Sequence, residues 1–491
     1  MAYEGLAEPL IEEVNDPERW WPLFEAERKA LMRRDIPRFS SRTDEEVVHH
    51  DGIDLEIGPL TAGIDKARNR LDRVTDSEQA TWSALVRQAV TKDNEPTRRP
   101  AQPDGVAESR LREVAAELSD TVVDASIETS AGEMWFSPAS SDPIQLIPAE
   151  GPLNYGESGI ALLMTALSVE TGQDRYQKLA KWLLDRVVDR TLAHEEVTKL
   201  GGIRGLGSIV YTLSVIAELT GERVYADHAL EVTRLFSPSR IGVHNSFDIM
   251  DGGAGAVSGL VAMYERFPHE EVLDLAVDCG ERLLAERSRI DGNDVWMTQG
   301  DVPGVGFAHG QSGIAYALAR LTSVTGDECY ASAALDAISF EDTYLAKASS
   351  HESISIEQGQ EPEWCSGPTG LALARFAIGD LLADNSLRSR GEAMLEQIAD
   401  SKLHPMDNVC CGNFGRVEAL LYADRRVDQD LSPREVAGGS LRRYEQQGYF
   451  CLPGHAQSLP NVSFFDGISG VAYSLLRVAS PEQLPCVPLL E

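Results

Sequence analysis

The chain has 491 residues, 43% of them hydrophobic, and its 78 acidic and 44 basic residues give a formal net charge of −34. Length and composition fit one large domain or a few ordinary ones and exclude a disordered chain. The charge makes nucleic acid and anionic membranes poor partners. Because acidity runs through the whole chain, we favour a halophilic surface over an acidic patch for a basic substrate. Unfolding in low-salt buffer would support that hypothesis, and full stability there would contradict it.

No targeting signal is expected in the N-terminal sequence. Its start, "MAYEGLAEPL", is acidic and lacks the basic and apolar regions of a signal peptide. The chain has no apolar run of about 18 residues, so no membrane span is expected. A cytoplasmic location is therefore predicted, where the seven cysteines suit thiols or metal ligands better than disulfides. We predict a smaller helical segment over residues 1–140, with a linker near 91–105, and a main domain over residues 145–491.

A repeated pattern fills the main domain. A glycine-rich stop followed by an apolar helical run recurs about every 50 residues, as in "AHGQSGIAYAL". Several of these runs end in a "TG" turn that opens a second helix, so each unit predicts a helical hairpin. We number the seven units by their first glycines: Gly156, Gly205, Gly252, Gly310, Gly367, Gly412 and Gly467.

The predicted fold class is all-α. Seven hairpins can form an open solenoid or a closed ring of inner and outer helices. Closure is favoured because the last unit, "GVAYSLLRV", is as apolar as the others, whereas an open array needs polar capping units. The sequence therefore predicts an α/α toroid.

Chemically reactive side chains lie just before several of these glycines. Cys365 lies two residues before the glycine of unit 5, and Cys410 and Cys411 lie directly before that of unit 6. Because equivalent positions in neighbouring repeats lie side by side, the three thiols should meet at one rim. Three thiols in a reducing compartment predict a Zn²⁺ site with one coordination position left open. His309 and Asp248 lie before the glycines of units 4 and 3 and complete the candidate site.

Simpler interpretations compete with this one. A single cysteine in a helical protein is most often a small buried residue, and we interpret Cys279, Cys329, Cys451 and Cys486 in that way. A vicinal disulfide between Cys410 and Cys411 would need a strained turn. Asp248 is equally compatible with a helix N-cap, and Asp251 and Asp466 are interpreted as caps.

These motifs resemble the cyclase domain of class II lanthipeptide synthetases. The resemblance rests on "GFAHGQSGIAYAL", "EWCSGPTGLALA", "NVCCGNFGRVEALL" and "FFDGISGVAYSLL", in order, and runs from about residue 145 to the C-terminus. It implies an α/α toroid of seven inner and seven outer helices. It also implies zinc held by the cysteine of a W-C-x-G motif and by a C-C or C-H pair, with an H-G histidine and a D-x-x-x-G aspartate. The arginine that related cyclases carry shortly before W-C is replaced by "EPEWC", with Glu361 and Glu363.

The implied reaction is the addition of a peptide cysteine to dehydroalanine or dehydrobutyrine, which forms a thioether ring. The implied substrate is a dehydrated precursor peptide. The segment 1–140 resembles the tail of the dehydratase domain and contains no nucleotide-binding motif. Either a separate dehydratase chain is a partner, or the sequence is a fragment or decayed copy of a longer enzyme. Two alternatives stay open: a glycosidase or zinc prenyltransferase on a similar ring, and a non-catalytic zinc-stabilised relic that binds peptides or thiols. A glycosidase needs two facing carboxylates and has no use for three rim cysteines.

Overall fold

The computed structural model describes residues 17–32, 38–72 without 43, 45–46, 51–52 and 56–61, and 106–491 without seven short gaps. Those gaps are 130–131, 142–143, 195–196 with 198, 351–361, 400, 425–432 and 454–459. The predicted linker at 91–105 lies outside the described residues. The chain divides into two compact units, Met1–Trp82 and Ser83–Glu491.

The N-terminal unit is small. Helix α1 (Pro17–Met32) precedes a three-stranded antiparallel sheet of β1 (Phe39–Ser40), β2 (Val48–His50) and β3 (Ile53–Leu55), and α2 (Gly63–Leu71) follows.

The second unit is a double ring of helices. The described inner helices are α4 (Glu157–Thr171), α6 (Leu206–Thr220), α9 (Gly253–Arg266), α11 (Gln311–Thr325), α13 (Pro368–Leu381), α15 (Asn413–Asp424) and α17 (Ile468–Ala479). The outer helices are α3 (Glu108–Asp124), α5 (Asp174–His194), α7 (Arg223–Thr233), α10 (Glu270–Ala285), α12 (Glu328–Ser350), α14 (Asn385–Ala399) and α16 (Pro433–Gln447). Each inner helix packs against the next, and α17 packs against α4. The predicted all-α toroid is therefore confirmed, and its ring is closed.

The loops before the inner helices form a continuous rim. Backbone hydrogen bonds join each loop to the next at the residue two before the unit's glycine, or at its neighbour. They run from Asn154 N to Ile203 O (3.1 Å), Gly202 N to Ile249 O (3.0 Å), Met250 N to Ala308 O (3.4 Å), Ala308 N to Cys365 O (2.9 Å), Cys365 N to Cys410 O (3.2 Å), Cys410 N to Phe465 O (2.9 Å) and Phe464 N to Asn154 O (2.7 Å). The rim therefore holds equivalent positions of all seven units in register.

Close backbone contacts explain the repeated glycines. A Cβ atom on Gly310 would lie 2.3 Å from the carbonyl carbon of Val305, and one on Gly370 would lie 1.9 Å from the carbonyl oxygen of Trp364. Both contacts are with backbone, which cannot move aside without breaking the rim. The first glycine of a unit thus allows the turn into the helix, and the second allows that helix to pack under its own loop.

The seventh outer helix comes from an unexpected part of the chain. The partner of α17 is α3, so the ring extends further towards the N-terminus than the predicted start at residue 145. A hydrogen bond that also occurs at outer helix α10 supports the assignment of α3 to the outer ring. The indole of Trp135 donates to Val122 O (2.6 Å) at the end of α3, and that of Trp296 donates to Leu283 O (2.8 Å) at the end of α10.

Short antiparallel hairpins, which the repeat pattern does not predict, accompany these two outer helices. After α3 come β4 (Ile127–Thr129), β5 (Gly132–Met134), β6 (Phe136–Ser141) and β7 (Ile144–Pro148); after α10 come β8 (Ser288–Ile290), β9 (Asn293–Val295), β10 (Met297–Gln299) and β11 (Val302–Pro303). A short helix, α8 (Pro238–Val243), follows α7.

The C-terminal residues fill the interior of the ring below the rim. Tyr211 of α6 donates to Glu491 O (3.0 Å), and Arg320 of α11 donates to Leu490 O (2.6 Å). Arg477 of α17 donates to Leu484 O (3.1 Å). These three helices are not neighbours in the ring, so the tail lies between them. Leu490 is 1% exposed, and the tail therefore fills the space between these inner helices.

A buried ion pair stabilises this interior. Arg477 binds Glu418 of α15, and their side chains are 1% and 2% exposed. We expect Arg477→Met to cost about 3–5 kcal/mol, because it leaves a carboxylate buried without its partner. Denaturant unfolding followed by circular dichroism measures this loss.

Two further variants test that explanation. Arg477→Met combined with Glu418→Leu should recover most of the loss, since no charge then stays buried. Lys347→Met, which removes an exposed pair with Asp291, should cost about 1 kcal/mol at most. Equal losses for Arg477→Met and Lys347→Met would contradict the buried-pair interpretation.

Candidate functional site

The rim brings the three predicted cysteines together. Cys365 lies on the loop before α13, and Cys410 and Cys411 lie on the loop before α15. The Sγ atoms of Cys365 and Cys411 are 3.6 Å apart, and those of Cys411 and Cys410 are 3.3 Å apart. All three sulfurs lie within 4.8 Å of one another. Because the nitrogens of Trp364 and Cys365 both donate to Cys410 O, at 3.0 and 3.2 Å, the two loops hold this spacing.

The adjacent cysteines are not joined by a disulfide. A disulfide bond is about 2.05 Å long, well below the 3.3 Å that separates Cys410 Sγ from Cys411 Sγ. All seven cysteines are free thiols. Cys279, Cys451 and Cys486 are buried as predicted, but the prediction for Cys329 is wrong, because it lies exposed in the first turn of outer helix α12.

Hydrogen bonds within the cluster shift the pKa values of the three thiols in different directions. Bonds from Cys410 and then Cys411 lower the pKa of Cys365 to about 3. The bond to Cys365, then that to Cys411, raises the pKa of Cys410, and the bond to Cys365 raises that of Cys411. Within the cluster, Cys365 is therefore the thiol most easily deprotonated. A divalent cation would favour deprotonation of all three.

The donor set fits a zinc ion. Thiolates are ligands that Zn²⁺ favours, and a tetrahedral ion with Zn–S bonds of about 2.3 Å separates its sulfurs by about 3.8 Å. The observed separations of 3.3 and 3.6 Å approach that value. All three cysteines are half-buried residues at the rim, where a fourth ligand can approach.

His309 and Asp248 form a second part of the site. His309 Nδ1 lies 2.6 Å from Asp248 Oδ2, and their side chains are 42% and 5% exposed. Asp248 Oδ1 accepts from the backbone nitrogen of Asp251 at 2.8 Å. A carboxylate on Nδ1 favours the tautomer with its proton there, which directs Nε2 towards a substrate. The His309 loop adjoins the cysteines, because Ala308 N donates to Cys365 O.

The cap interpretations of three aspartates are not supported. The N-caps of α9 and α17 are Gly252 and Gly467, and neither makes a side-chain capping bond. Asp248 binds His309, Asp251 binds Arg204 at 2.7 Å, and Asp466 accepts from Tyr155 Oη at 3.1 Å. These carboxylates therefore belong to contacts along the rim.

Sequence reasoning missed part of this rim. The residues directly before the seven glycines follow one another around the ring as Tyr155, Arg204, Asp251, His309, Ser366, Cys411 and Asp466. All seven are polar side chains or thiols, and this shared position was the signal that could have identified Tyr155, Arg204 and Asp466. Glu363, which stands in the region where related cyclases carry arginine, accepts from Ser366 Oγ at 2.9 Å and lies 3.8 Å from Cys365 Sγ.

Comparison with known proteins identifies the family. The family model described as lanthionine synthetase C-like protein matches residues 148–489. The chain belongs to the lanthionine synthetase C-like family. The match begins at the end of the hairpins that follow α3, and it includes all seven inner helices and the three cysteines of this lanthionine synthetase C-like domain. No curated protein sequence matches the chain significantly.

Solved structures share the fold at low sequence identity. A nisin cyclase has a TM-score of 0.54 and 14% identity, and the match covers 78% of this chain and 97% of that chain. An inactive variant of an α-1,6-mannanase of Salegentibacter sp. HEL1_6 has a TM-score of 0.37 and 13% identity, over 78% and 100% of the two chains. An unsaturated glucuronyl hydrolase from Bacillus sp. GL1 has a TM-score of 0.41 and 13% identity, over 76% and 97%. The nisin cyclase match supports the toroid, and the other two are too distant to support any argument.

No membrane span is evident in the part of the chain that the structure describes, since none of its helices has both the length and the hydropathy needed.

Proposed function

We propose that this chain is a zinc-dependent cyclase that forms lanthionine and methyllanthionine rings in a dehydrated precursor peptide. The observation that carries the proposal is the meeting of Cys365, Cys410 and Cys411 beside the His309–Asp248 pair, in a chain of the lanthionine synthetase C-like family. The class II type, the origin of the residues before α3 in a dehydratase tail, a separate dehydratase partner and a cytoplasmic location are parts of the same proposal. The predicted tail, residues 1–140, is shortened here because α3 belongs to the ring.

The residues of the site divide metal binding and proton transfer between them. Cys365, Cys410 and Cys411 would hold Zn²⁺, which, when bound, supplies the positive charge that lets a substrate thiol lose its proton near neutral pH. His309 Nε2 accepts that proton, and Asp248 holds the ring through Nδ1 and stabilises the resulting imidazolium. The sulfur then attacks the β-carbon of the dehydro residue. The electron pair of the double bond moves towards the carbonyl, and the α-carbon takes up a proton.

The first test is zinc content. We expect about one zinc per chain in wild-type protein purified at high salt, and none in a folded Cys365→Ala variant, because two thiols hold the ion weakly. Atomic emission spectrometry measures the metal, and circular dichroism checks the fold.

Activity is tested on a panel of synthetic peptides that contain one dehydroalanine and one cysteine. Ring formation leaves the mass unchanged and removes the alkylatable thiol, so mass spectrometry after iodoacetamide treatment detects it. Zinc with no loss of thiol on any peptide would indicate a binding relic. Folded wild-type protein without zinc would overturn the proposed site.

A further inference from the structure

A second polar pair lies on the other side of the cysteines. Tyr155 Oη lies 3.1 Å from Asp466 Oδ2, and Asp466 Oδ1 accepts from Asn408 Nδ2 at 3.2 Å. Tyr155 and Asp466 stand directly before the glycines of units 1 and 7, which meet only where the ring closes. Neither residue has a task in the mechanism above.

Asp466 occupies the same position in its repeat unit as His309 does in its own. Asp248 lies four residues before the glycine of unit 3 and contacts His309, which lies directly before that of unit 4. Asn408 lies four residues before the glycine of unit 6 and contacts Asp466, which lies directly before that of unit 7. The same geometry therefore occurs twice, and the cysteines of units 5 and 6 lie between the two occurrences.

The loops that carry the pair adjoin the loop of Cys410. Cys410 N donates to Phe465 O at 2.9 Å, and Phe464 N donates to Asn154 O at 2.7 Å, so both loops of the pair are bonded into the rim beside Cys410. Burial, then the Asp466 carboxylate, raises the pKa of the Tyr155 phenol. The hydroxyl therefore carries its proton, which it donates to Asp466 Oδ2 in this structure.

The proposed reaction moves two protons. One leaves the thiol sulfur, and another must reach the α-carbon. A single histidine that served both the sulfur and the α-carbon would have to rotate its ring between the two proton transfers. Two groups on either side of the cysteines can each serve one transfer. In the order of the rim loops, His309 precedes the two cysteine loops and Tyr155 follows them.

We propose that Tyr155 is a further catalytic residue of the cyclase, which delivers the proton to the α-carbon, with Asp466 as its positioning residue. This inference rests on the proposed function. After the thiol proton has passed to His309, the carbon–sulfur bond forms, and the electron pair of the double bond takes the proton of the Tyr155 hydroxyl. Tyr155 then regains a proton from water and His309 releases one, so no redox partner is needed.

The configuration of the α-carbon tests this assignment. We expect Tyr155→Phe to keep its zinc and to form the ring on the order of 10²–10⁴-fold more slowly. Its product should contain both configurations at the α-carbon, because water can deliver a proton to either face. Acid hydrolysis and chiral gas chromatography of the lanthionine measure the two forms. Asp466→Asn should give a smaller effect in the same direction.

Tyr225→Phe is the matched control, since that tyrosine belongs to outer helix α7 and should leave rate and configuration unchanged. A single configuration from Tyr155→Phe at any rate would overturn the assignment and leave the cyclase function standing. Absence of product from zinc-loaded Tyr155→Phe would also overturn it, because addition followed by protonation from water should still occur. Absence of product from the wild type would overturn the cyclase function and, with it, this assignment.

Discussion

Cys411→Ala is expected to lose its zinc and to abolish ring formation. Cys411 Sγ lies 3.6 Å from Cys365 Sγ and 3.3 Å from Cys410 Sγ, so it completes the set of three thiols. Without it, two cysteines remain, and the site lacks the three protein ligands that a catalytic zinc normally has. Zinc per chain and loss of alkylatable thiol in a dehydroalanine peptide measure the two effects.

A matched variant separates loss of a ligand from loss of the fold. In Cys411→His the imidazole can replace the thiolate as a zinc ligand, since histidine and cysteine both serve in such sites. We therefore expect this variant to keep zinc and part of the activity. If Cys411→Ala retained about one zinc and full activity, Cys411 would not be a ligand. If both variants lost zinc equally, the site would need a thiolate at this position.

The position of the cysteines follows from the repeat, which is local information. A glycine marks each inner-helix start, and once the starts are aligned, Cys365 and Cys410 occupy the same place in neighbouring units. A backbone hydrogen bond from Cys365 N to Cys410 O joins these two equivalent positions directly. The same alignment of units predicts that His309 lies beside Cys365. It does not predict which side chain forms the hydrogen bond with His309 Nδ1.

The features that were missed depend on ring closure or on tertiary packing. The apolar face of α3 does not reveal that its partner is α17, more than 300 residues away in sequence. The contact between Tyr155 and Asp466 likewise joins the first unit to the last. Asp466 and Asp251 were interpreted as caps because an acid before a helix is usually one, but here the rim glycines take the N-cap position. Cys329 was assigned to the core because composition cannot show which face of α12 a residue occupies.

His309→Ala is expected to keep its zinc and to lower the rate of ring formation on the order of 10²–10⁴-fold. His309 makes its hydrogen bond to Asp248 and none to the three thiols, so its removal leaves the metal ligands in place. The reaction loses the group that accepts the thiol proton. Zinc analysis together with single-turnover rates on a dehydroalanine peptide separates the two properties.

Three comparisons make this result specific to proton transfer. Imidazole added to His309→Ala should restore part of the rate, because it can carry the proton in place of the missing ring. Asp248→Asn should keep the zinc and slow the reaction by a comparable factor, since the charge that stabilises imidazolium is lost and the amide can hold the ring in the wrong tautomer. His228→Ala, on the surface of α7, should have no effect on rate. Zinc loss from His309→Ala would instead make His309 a support of the metal site, and an unchanged rate would exclude it from the chemistry.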